Sequence, residues 1–253
     1  TGSAAMESCF VNMIEPKDKE LIIQNGYFSL RMENMCRRLS ANVDLLKFEW
    51  GKAANIEQVN SRIKKNKYDI VAVVHAETST GVKNDVKTIS TFIDSDTIFI
   101  VDAVTSLGTI ELEVDKWKID AIFSTAPPYT THLIAKNLAL SNKLPWIADF
   151  RDPWTDRFYY QENHRNKLIT YFDSLLEKSV LRNSQHITVV SSGFQNLLHA
   201  HWPIRDKSAI IYNGFDPDDF GGIDKKVSNG ENIRIGHIGS LAKSQNPVGL
   251  IQS

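Results

Sequence analysis

Short apolar runs alternate with segments of helical spacing along most of the chain. The clearest helical pattern places Leu168, Phe172, Leu175 and Leu176 at intervals that bring them to one helix face. Continuous apolar strands separated by helices are typical of a parallel sheet that is covered on both faces. We therefore predict an α/β fold with mainly parallel, Rossmann-like sheet structure. The predicted strands are residues 21–23, 43–48, 70–74, 97–101, 121–124, 146–148, 187–190, 209–212 and 233–238.

Composition narrows the class of protein. The 253 residues are 42% hydrophobic and 23% charged, which suits one large or two smaller domains. A net charge of −1 gives no strong field toward nucleic acid or anionic membranes, so neither is an expected partner. Cys9 and Cys36 are too few for a disulfide framework, and no apolar run approaches the roughly 20 residues of a membrane span. The histidines lack metal-ligand spacing. We expect a cytoplasmic protein without a signal peptide or a metal site.

The two ends of the chain suggest cuts within larger proteins. Thr1 opens directly into a Gly-Ser-Ala-Ala stretch that is typical of a domain interior. The sequence ends at Ser253, just after a new apolar segment begins at Val248. We expect sequence to be missing at both ends.

Residues at predicted strand ends carry the candidate chemistry of the first half. Thr1, Gly2 and Ser3 precede a helix and offer hydroxyl and free N–H groups, which is a natural phosphate seat. Asp102 closes a strand, and the run HAETSTG follows another strand. Taken alone, a strand-end Asp is more often a cap or turn former than a ligand.

The order of these segments makes the pattern specific. HAETSTGV, VDAVTSLG and VDKWKID, together with AAMES, VNMIEP and NGYFSLRM, resemble the large domain of class V aminotransferases of the serine–pyruvate or alanine–glyoxylate type, over about residues 1–120. The resemblance implies pyridoxal phosphate as cofactor. It implies that Asp102 pairs with the pyridine nitrogen and that Thr78 bonds near the ring hydroxyl. It further implies that Phe28 stacks on the ring, that Val104 supports its other face, and that Thr1, Gly2 and Ser3 hold the phosphate.

One element of that family's site is missing. The family holds its cofactor through a Schiff-base lysine in a Ser-Gln-Lys context, downstream of the aspartate. The corresponding region here reads STAPPY, and no lysine lies between Lys118 and Lys136. The small domain that carries a substrate-binding arginine in the family is absent as well. We therefore do not expect a working aminotransferase.

In the second half, polar residues cluster where a predicted strand ends. The strand 146–148 runs into DFRDPW, which places two carboxylates, a guanidinium and an indole together: Asp149, Arg151, Asp152 and Trp154. Such a set can hydrogen-bond sugar hydroxyls and stack on a sugar face. An equally weighted alternative is a structural network between the arginine and the carboxylates.

This half resembles the N-terminal domain of family 4 glycosyltransferases with the GT-B fold, over about residues 119–253. The resemblance rests on the Pro-Pro turn of STAPP at 124–128, which is similar to the family's S-x-P-P turn, on the D-F-R-D-P-W motif and on the run IYNGFD. The run IGHIGS resembles the first loop of the second GT-B domain and adds Gly239 and Ser240 as candidate substrate-binding residues. The resemblance implies sugar transfer from a nucleotide-sugar, which requires two complete domains.

The two patterns meet at Ile119-Asp120, which fits both. We predict an aminotransferase-like segment at 1–119, a partial GT-B N-terminal domain at 120–230 and the start of a truncated second domain at 231–253. Burial is expected to be weaker near this seam. The favoured hypothesis is an inactive composite of enzyme fragments. The alternatives are a protein that binds pyridoxal phosphate without the lysine, an acceptor-side glycosyltransferase domain, and a non-catalytic binding module. Small-molecule or sugar ligands are expected, and the oligomeric state is left open.

Overall fold

A computed structural model describes residues 2–39, 42–114, 116–156 and 166–213. The predicted strand 233–238 and the candidate residues Thr1, Gly239 and Ser240 lie outside these ranges.

The first half forms a four-stranded parallel sheet. Its strands are β1 (Lys19–Gln24), β2 (Asn42–Lys47), β3 (Ile70–Val74) and β6 (Ile98–Asp102), in the order β2-β1-β3-β6. A short antiparallel pair, β4 (Ala76–Glu77) and β5 (Val82–Lys83), follows β3. The parallel strands bring their carboxyl ends to one edge, where ligands bind in open α/β sheets.

Helices cover both faces of this sheet. On one face, α1 (Gly2–Met13) and α2 (Tyr27–Arg38) pack against the side that carries Ile22. On the other, Leu21 and Ile23 pack in a core with α3 (Ile56–Lys65) and α4 (Val86–Ser90). Because neighbouring side chains of a strand point to opposite faces, a strand that is covered twice reads as an unbroken apolar run.

The second half forms a separate parallel sheet. Its strands are β7 (Ile122–Ala126), β8 (Trp146–Phe150), β9 (His186–Val189) and β10 (Ser208–Ile210), in the order β10-β9-β8-β7. The helices here are α5 (Thr130–Asn142), α6 (Lys167–Asn183), α7 (Ser192–His201) and a 3-10 turn at Arg205–Lys207. The predicted α/β class with parallel sheets is confirmed.

The segment between β6 and β7 separates the two sheets. Within the described residues, β6 pairs only with β3, and β7 pairs only with β8. Each of the five residues of β3 is buried, whereas β6 has no fully buried residue and Ile98 is 41% exposed. Trp117 and Ala126, on either side of the predicted seam, are buried, so weaker burial at the seam stays a prediction. Trp117 packs into the core of the first sheet and Ile122 into that of the second, so the change of core falls between these residues.

The predicted strands within the described ranges are present, with boundaries shifted by at most two residues. The pair β4–β5 was not predicted, because two-residue strands carry no periodicity. No described helix combines the length and the apolar character that crossing a membrane requires.

Candidate functional site

Asp102 ends β6 at the carboxyl edge of the first sheet. Its Oδ1 accepts a hydrogen bond from the Val104 N–H at 2.9 Å. Burial raises the pKa of Asp102, and the nearby Glu77 carboxylate raises it further. Among the described lysines and arginines, none forms an ion pair with Asp102. This carboxylate is therefore desolvated and lacks a countercharge in the described part of the chain.

Helix α1 lies beside Asp102. A Cβ atom added to Gly2 would lie 3.0 Å from both γ-methyl groups of Val104, so the start of the helix touches the loop that follows β6. Cys9 lies two turns further along the helix, close enough for an electrostatic interaction with the Asp102 carboxylate. Burial, and then Asp102, raise the pKa of Cys9 to about 11. The structure thus brings the predicted phosphate seat, of which it describes Gly2 and Ser3, to the predicted ring-nitrogen partner.

Thr78 joins the same edge from the loop after β3. Its hydroxyl forms a hydrogen bond with the Thr105 hydroxyl, which links the loops after β3 and β6. Val104 is 58% exposed, and its methyl groups are open to solvent at this edge. Asp102, Thr78, Val104 and the start of α1 therefore converge as the sequence predicted. Their roles toward a cofactor stay predictions.

Phe28 lies in the first turn of α2. Its ring packs against the core shared by α1 and α2 and meets the Tyr27 ring edge-on, with 5.6 Å between centroids. Tyr27 is the more exposed of the two, at 46%. The ring-stacking role of Phe28 stays a prediction, and Tyr27 is the aromatic side chain that solvent reaches.

The buried carboxylate of Glu77 organises this edge and was missed by sequence reasoning. Its oxygens accept hydrogen bonds from the Phe28 and Ser29 N–H groups at 3.2 and 3.0 Å, so Glu77 caps α2 from another loop. The Ser29 and Ser79 hydroxyls lie 3.1 and 2.7 Å from the same carboxylate. A Cβ at Gly26 would lie only 2.3 Å from Glu77 Cγ, so any side chain at this position would displace the Glu77 carboxylate. No local sequence signal marks this contact, because the capped helix lies far from Glu77 along the chain.

Below this edge lies a second unpredicted contact. His75 Nδ1 is 2.9 Å from the Ser106 hydroxyl, and the Trp117 ring meets the imidazole edge-on at 4.9 Å. Burial, and then Lys83, lower the pKa of His75. The histidine is therefore a buried neutral group that ties the loop after β3 to the loop after β6.

In the second sheet, Asp149 is fully buried at the end of β8. The Thr125 and Thr188 hydroxyls donate to its two oxygens at 2.8 and 2.6 Å, and Arg151 Nε donates at 2.5 Å. The strands on both sides of β8 thus supply the threonines. This arrangement matches the structural network that we weighed against sugar contact.

Arg151 and Trp154 are also engaged by the protein itself. The Arg151 side chain is only 7% exposed, and its Nη1 donates to Asn213 Oδ1 at 3.1 Å. The Trp154 ring stacks on Tyr129 with 4.6 Å between centroids. Asp152 alone among the four motif residues is exposed. The predicted substrate-binding role of this motif stays a prediction, with one carboxylate accessible.

His132 was not predicted to be buried. The Trp146 indole N–H donates to the Ser124 hydroxyl at 2.8 Å, and the same hydroxyl lies 2.8 Å from His132 Nδ1. Burial lowers the pKa of His132 to about 4, so the imidazole is neutral. In the described ranges, no group of three or more His, Cys, Asp or Glu side chains could hold a metal ion.

Comparison with known families addresses both halves. Residues 2–127 match the family profile of Aminotransferase class-V, and residues 99–219 match that of Glycosyltransferase Family 4. The chain resembles two enzyme families. Each match covers just under half of the residues, and the two overlap over 99–127, across the seam.

Individual relatives match the first half. The (S)-ureidoglycine–glyoxylate transaminase of Bacillus subtilis is 43% identical over 122 residues, which are 48% of this chain and 29% of that protein. The serine–glyoxylate aminotransferase of Arabidopsis thaliana is 32% identical over 126 residues, or 47% of this chain and 31% of that protein. A crystal structure of the B. subtilis ureidoglycine–glyoxylate aminotransferase is 42% identical, covering 47% of this chain and 31% of that one, with a TM-score of 0.46. The chain spans about a third of the length of these relatives.

Proposed function

We propose that this chain is a composite of two enzyme pieces that retains a non-covalent seat for pyridoxal phosphate and carries out neither transamination nor sugar transfer. The observation that supports this proposal is the partly buried Asp102 carboxylate beside the start of α1, in a chain with no lysine between Lys118 and Lys136.

The charges at this edge fit the cofactor. A desolvated carboxylate without a countercharge is stabilised by a protonated pyridine nitrogen, which brings the charge that the described residues do not supply. Free N–H groups at the start of α1, together with the Ser3 hydroxyl, suit a phosphate. Thr78 and Thr105 add two hydroxyls from the loops after β3 and β6. When bound in an enzyme, pyridoxal phosphate supplies an electron sink.

Catalysis requires more than this seat. Transamination needs a lysine amine that holds the cofactor covalently and moves protons, and no lysine lies between Lys118 and Lys136, where the resemblance places it. For sugar transfer, Asp149, Arg151 and Trp154 are already bonded or stacked within the fold. The ligand of this chain is therefore a small molecule that binds at the first sheet and leaves unchanged.

Calorimetric titration with pyridoxamine 5′-phosphate tests the seat. This form of the cofactor carries an amine in place of the aldehyde, so it cannot react with surface lysines. The matched control is Asp102→Asn, which keeps the shape of the side chain and removes its charge. Loss of a charged hydrogen bond of about 1.5–3 kcal/mol predicts binding about 10- to 100-fold weaker.

Two results would contradict the proposal in different ways. Equal binding by the wild type and Asp102→Asn would show that the Asp102 charge does not hold the cofactor, and would contradict the proposed binding site. Glyoxylate-dependent transamination by the purified chain with added pyridoxal phosphate, above that of the Asp102→Asn variant, would show that the missing lysine is not needed and would remove the non-catalytic assignment.

A further inference from the structure

The first half of α6 presents an apolar surface to solvent. We call it the α6 apolar face, and it is formed by six large side chains within nine positions. Phe172 is 61% and Tyr171 is 58% exposed. The remaining members, Leu168, Ile169, Leu175 and Leu176, are 67%, 48%, 43% and 37% exposed. The sequence predicted this helix from the helical spacing of its apolar residues. Those same residues are exposed to solvent in the structure.

The position of this face on the helix explains its exposure. At about 100° per residue, the six side chains occupy an arc of roughly 160°. The residues by which α6 joins the fold, Glu177, Val180 and Leu181, centre roughly 150° away from that arc. Rotation of the helix to bury the apolar arc would therefore expose its anchoring residues. An amphipathic helix whose apolar side points away from its own sheet is typical of an interface.

Four of the six side chains are placed symmetrically about Phe172, and Tyr171 is the exception because its counterpart is Asp173. Leu168 and Ile169 lie four and three residues before Phe172, and Leu175 and Leu176 lie three and four residues after it. Thr170 and Ser174, two residues to either side, are both small and polar. Two antiparallel copies that cross at Phe172 would therefore place Leu168 opposite Leu176 and Ile169 opposite Leu175. A two-fold interface requires a surface that is complementary to itself, and these four aliphatic positions meet that requirement.

The area is sufficient for such a contact. A fully exposed aromatic side chain presents roughly 200 Å², and the six partly exposed side chains together present on the order of 500 Å². Two copies would bury on the order of 1,000 Å², the lower bound for a specific interface, before flanking polar groups are counted. We infer that this chain forms a two-fold symmetric dimer through antiparallel pairing of α6.

Sedimentation equilibrium of the full chain tests this inference, from about 1 to about 200 µM, the range for an interface of this size. We expect the mass to rise with concentration toward twice the 28.6 kDa of the monomer. Phe172→Asp brings two carboxylates together at the two-fold axis. It should weaken dimerisation by about 30-fold or more, which is the effect of removing one hot-spot residue. The matched control is Leu140→Asp, a leucine that is 54% exposed on α5. Circular dichroism checks that both variants fold.

A pair of double variants tests the orientation. In the antiparallel arrangement, Leu168→Lys with Leu176→Glu places opposite charges across the interface twice, whereas Leu168→Glu with Leu176→Glu places like charges there. The first should dimerise more tightly than the second. A wild type that stays monomeric, a dimer that is equally sensitive to Leu140→Asp and Phe172→Asp, or equal dimerisation by the two double variants would overturn the inference.

Discussion

Glu20 provides a test of the energetics of the first sheet. It lies in β1 between Val43 and Ile70 of the neighbouring strands and is fully buried. Neither of its carboxylate oxygens has a hydrogen-bond partner among the described residues. Burial, reinforced by Asp18 and Asp69, raises the pKa of Glu20 from 4.5 to about 7. A charged carboxylate that is buried without a hydrogen-bond partner lowers the free energy of unfolding.

The magnitude and sign follow from that shift. The unfolded chain releases the proton near pH 4.5, whereas the folded protein holds it up to about pH 7. Between these values the folded state binds more protons, so the free energy of unfolding falls as pH rises. At about 1.4 kcal/mol per pKa unit, the charged Glu20 costs about 3 kcal/mol above pH 7 and nothing below pH 4.5. Glu20→Gln should therefore stabilise the protein by about 3 kcal/mol at pH 8 and leave it nearly unchanged at pH 4.

Urea unfolding followed by circular dichroism measures this difference between pH 4 and pH 8. The exposed Glu7 on α1 provides the control, and Glu7→Gln should show no comparable gain at pH 8. Glu177, whose pKa burial also raises to about 7, is present in all these proteins and cancels in the comparison. If the stability difference between Glu20→Gln and the wild type is the same at both pH values, the charge of Glu20 is not the cause and the reasoning fails.

Two further substitutions test individual contacts. Gly26→Ala forces a Cβ atom against Glu77, the cap of α2, and should lower the free energy of unfolding by about 1–3 kcal/mol, measured by urea titration; an unchanged midpoint would show that Glu77 moves aside freely. His132 is buried and neutral with a pKa of about 4, so its contribution is complete above pH 6.5 and is lost as pH falls toward 4. His132→Gln should therefore gain about 3 kcal/mol relative to the wild type between pH 7 and pH 4, and parallel pH profiles of the two proteins would contradict this.

Sequence patterns predicted the strands well because both sheets are covered by helices. Ile70–Val74 shows why, since each of its residues is buried and the run is unbroken. The pattern failed for α6, where helical spacing correctly indicated a helix but did not indicate which side would face the sheet. Spacing shows that residues share a face, and only tertiary packing decides what that face contacts.

The candidate site was predictable to the extent that its residues lie at strand ends. Asp102 and Thr78 lie at the same edge because the parallel neighbours β6 and β3 both end there. The roles of Glu77 and His132 could not be predicted, because each depends on a partner that is distant in sequence or on burial. Glu77 caps a helix that starts 50 residues earlier, and no local pattern around Glu77 points to that helix.

Within the described residues, the strands of each half pair only with strands of the same half, which affects how the chain can fold during translation. All described strands of the first sheet have been synthesised once Asp102 has left the ribosome. None of them pairs with a strand that lies later in the chain than Asp102. At about 5–20 residues per second, translation gives that sheet several seconds to form before β10 emerges. Because no described strand pairing joins the two sheets, each half can complete its own hydrogen bonds in turn, which limits mispairing between them.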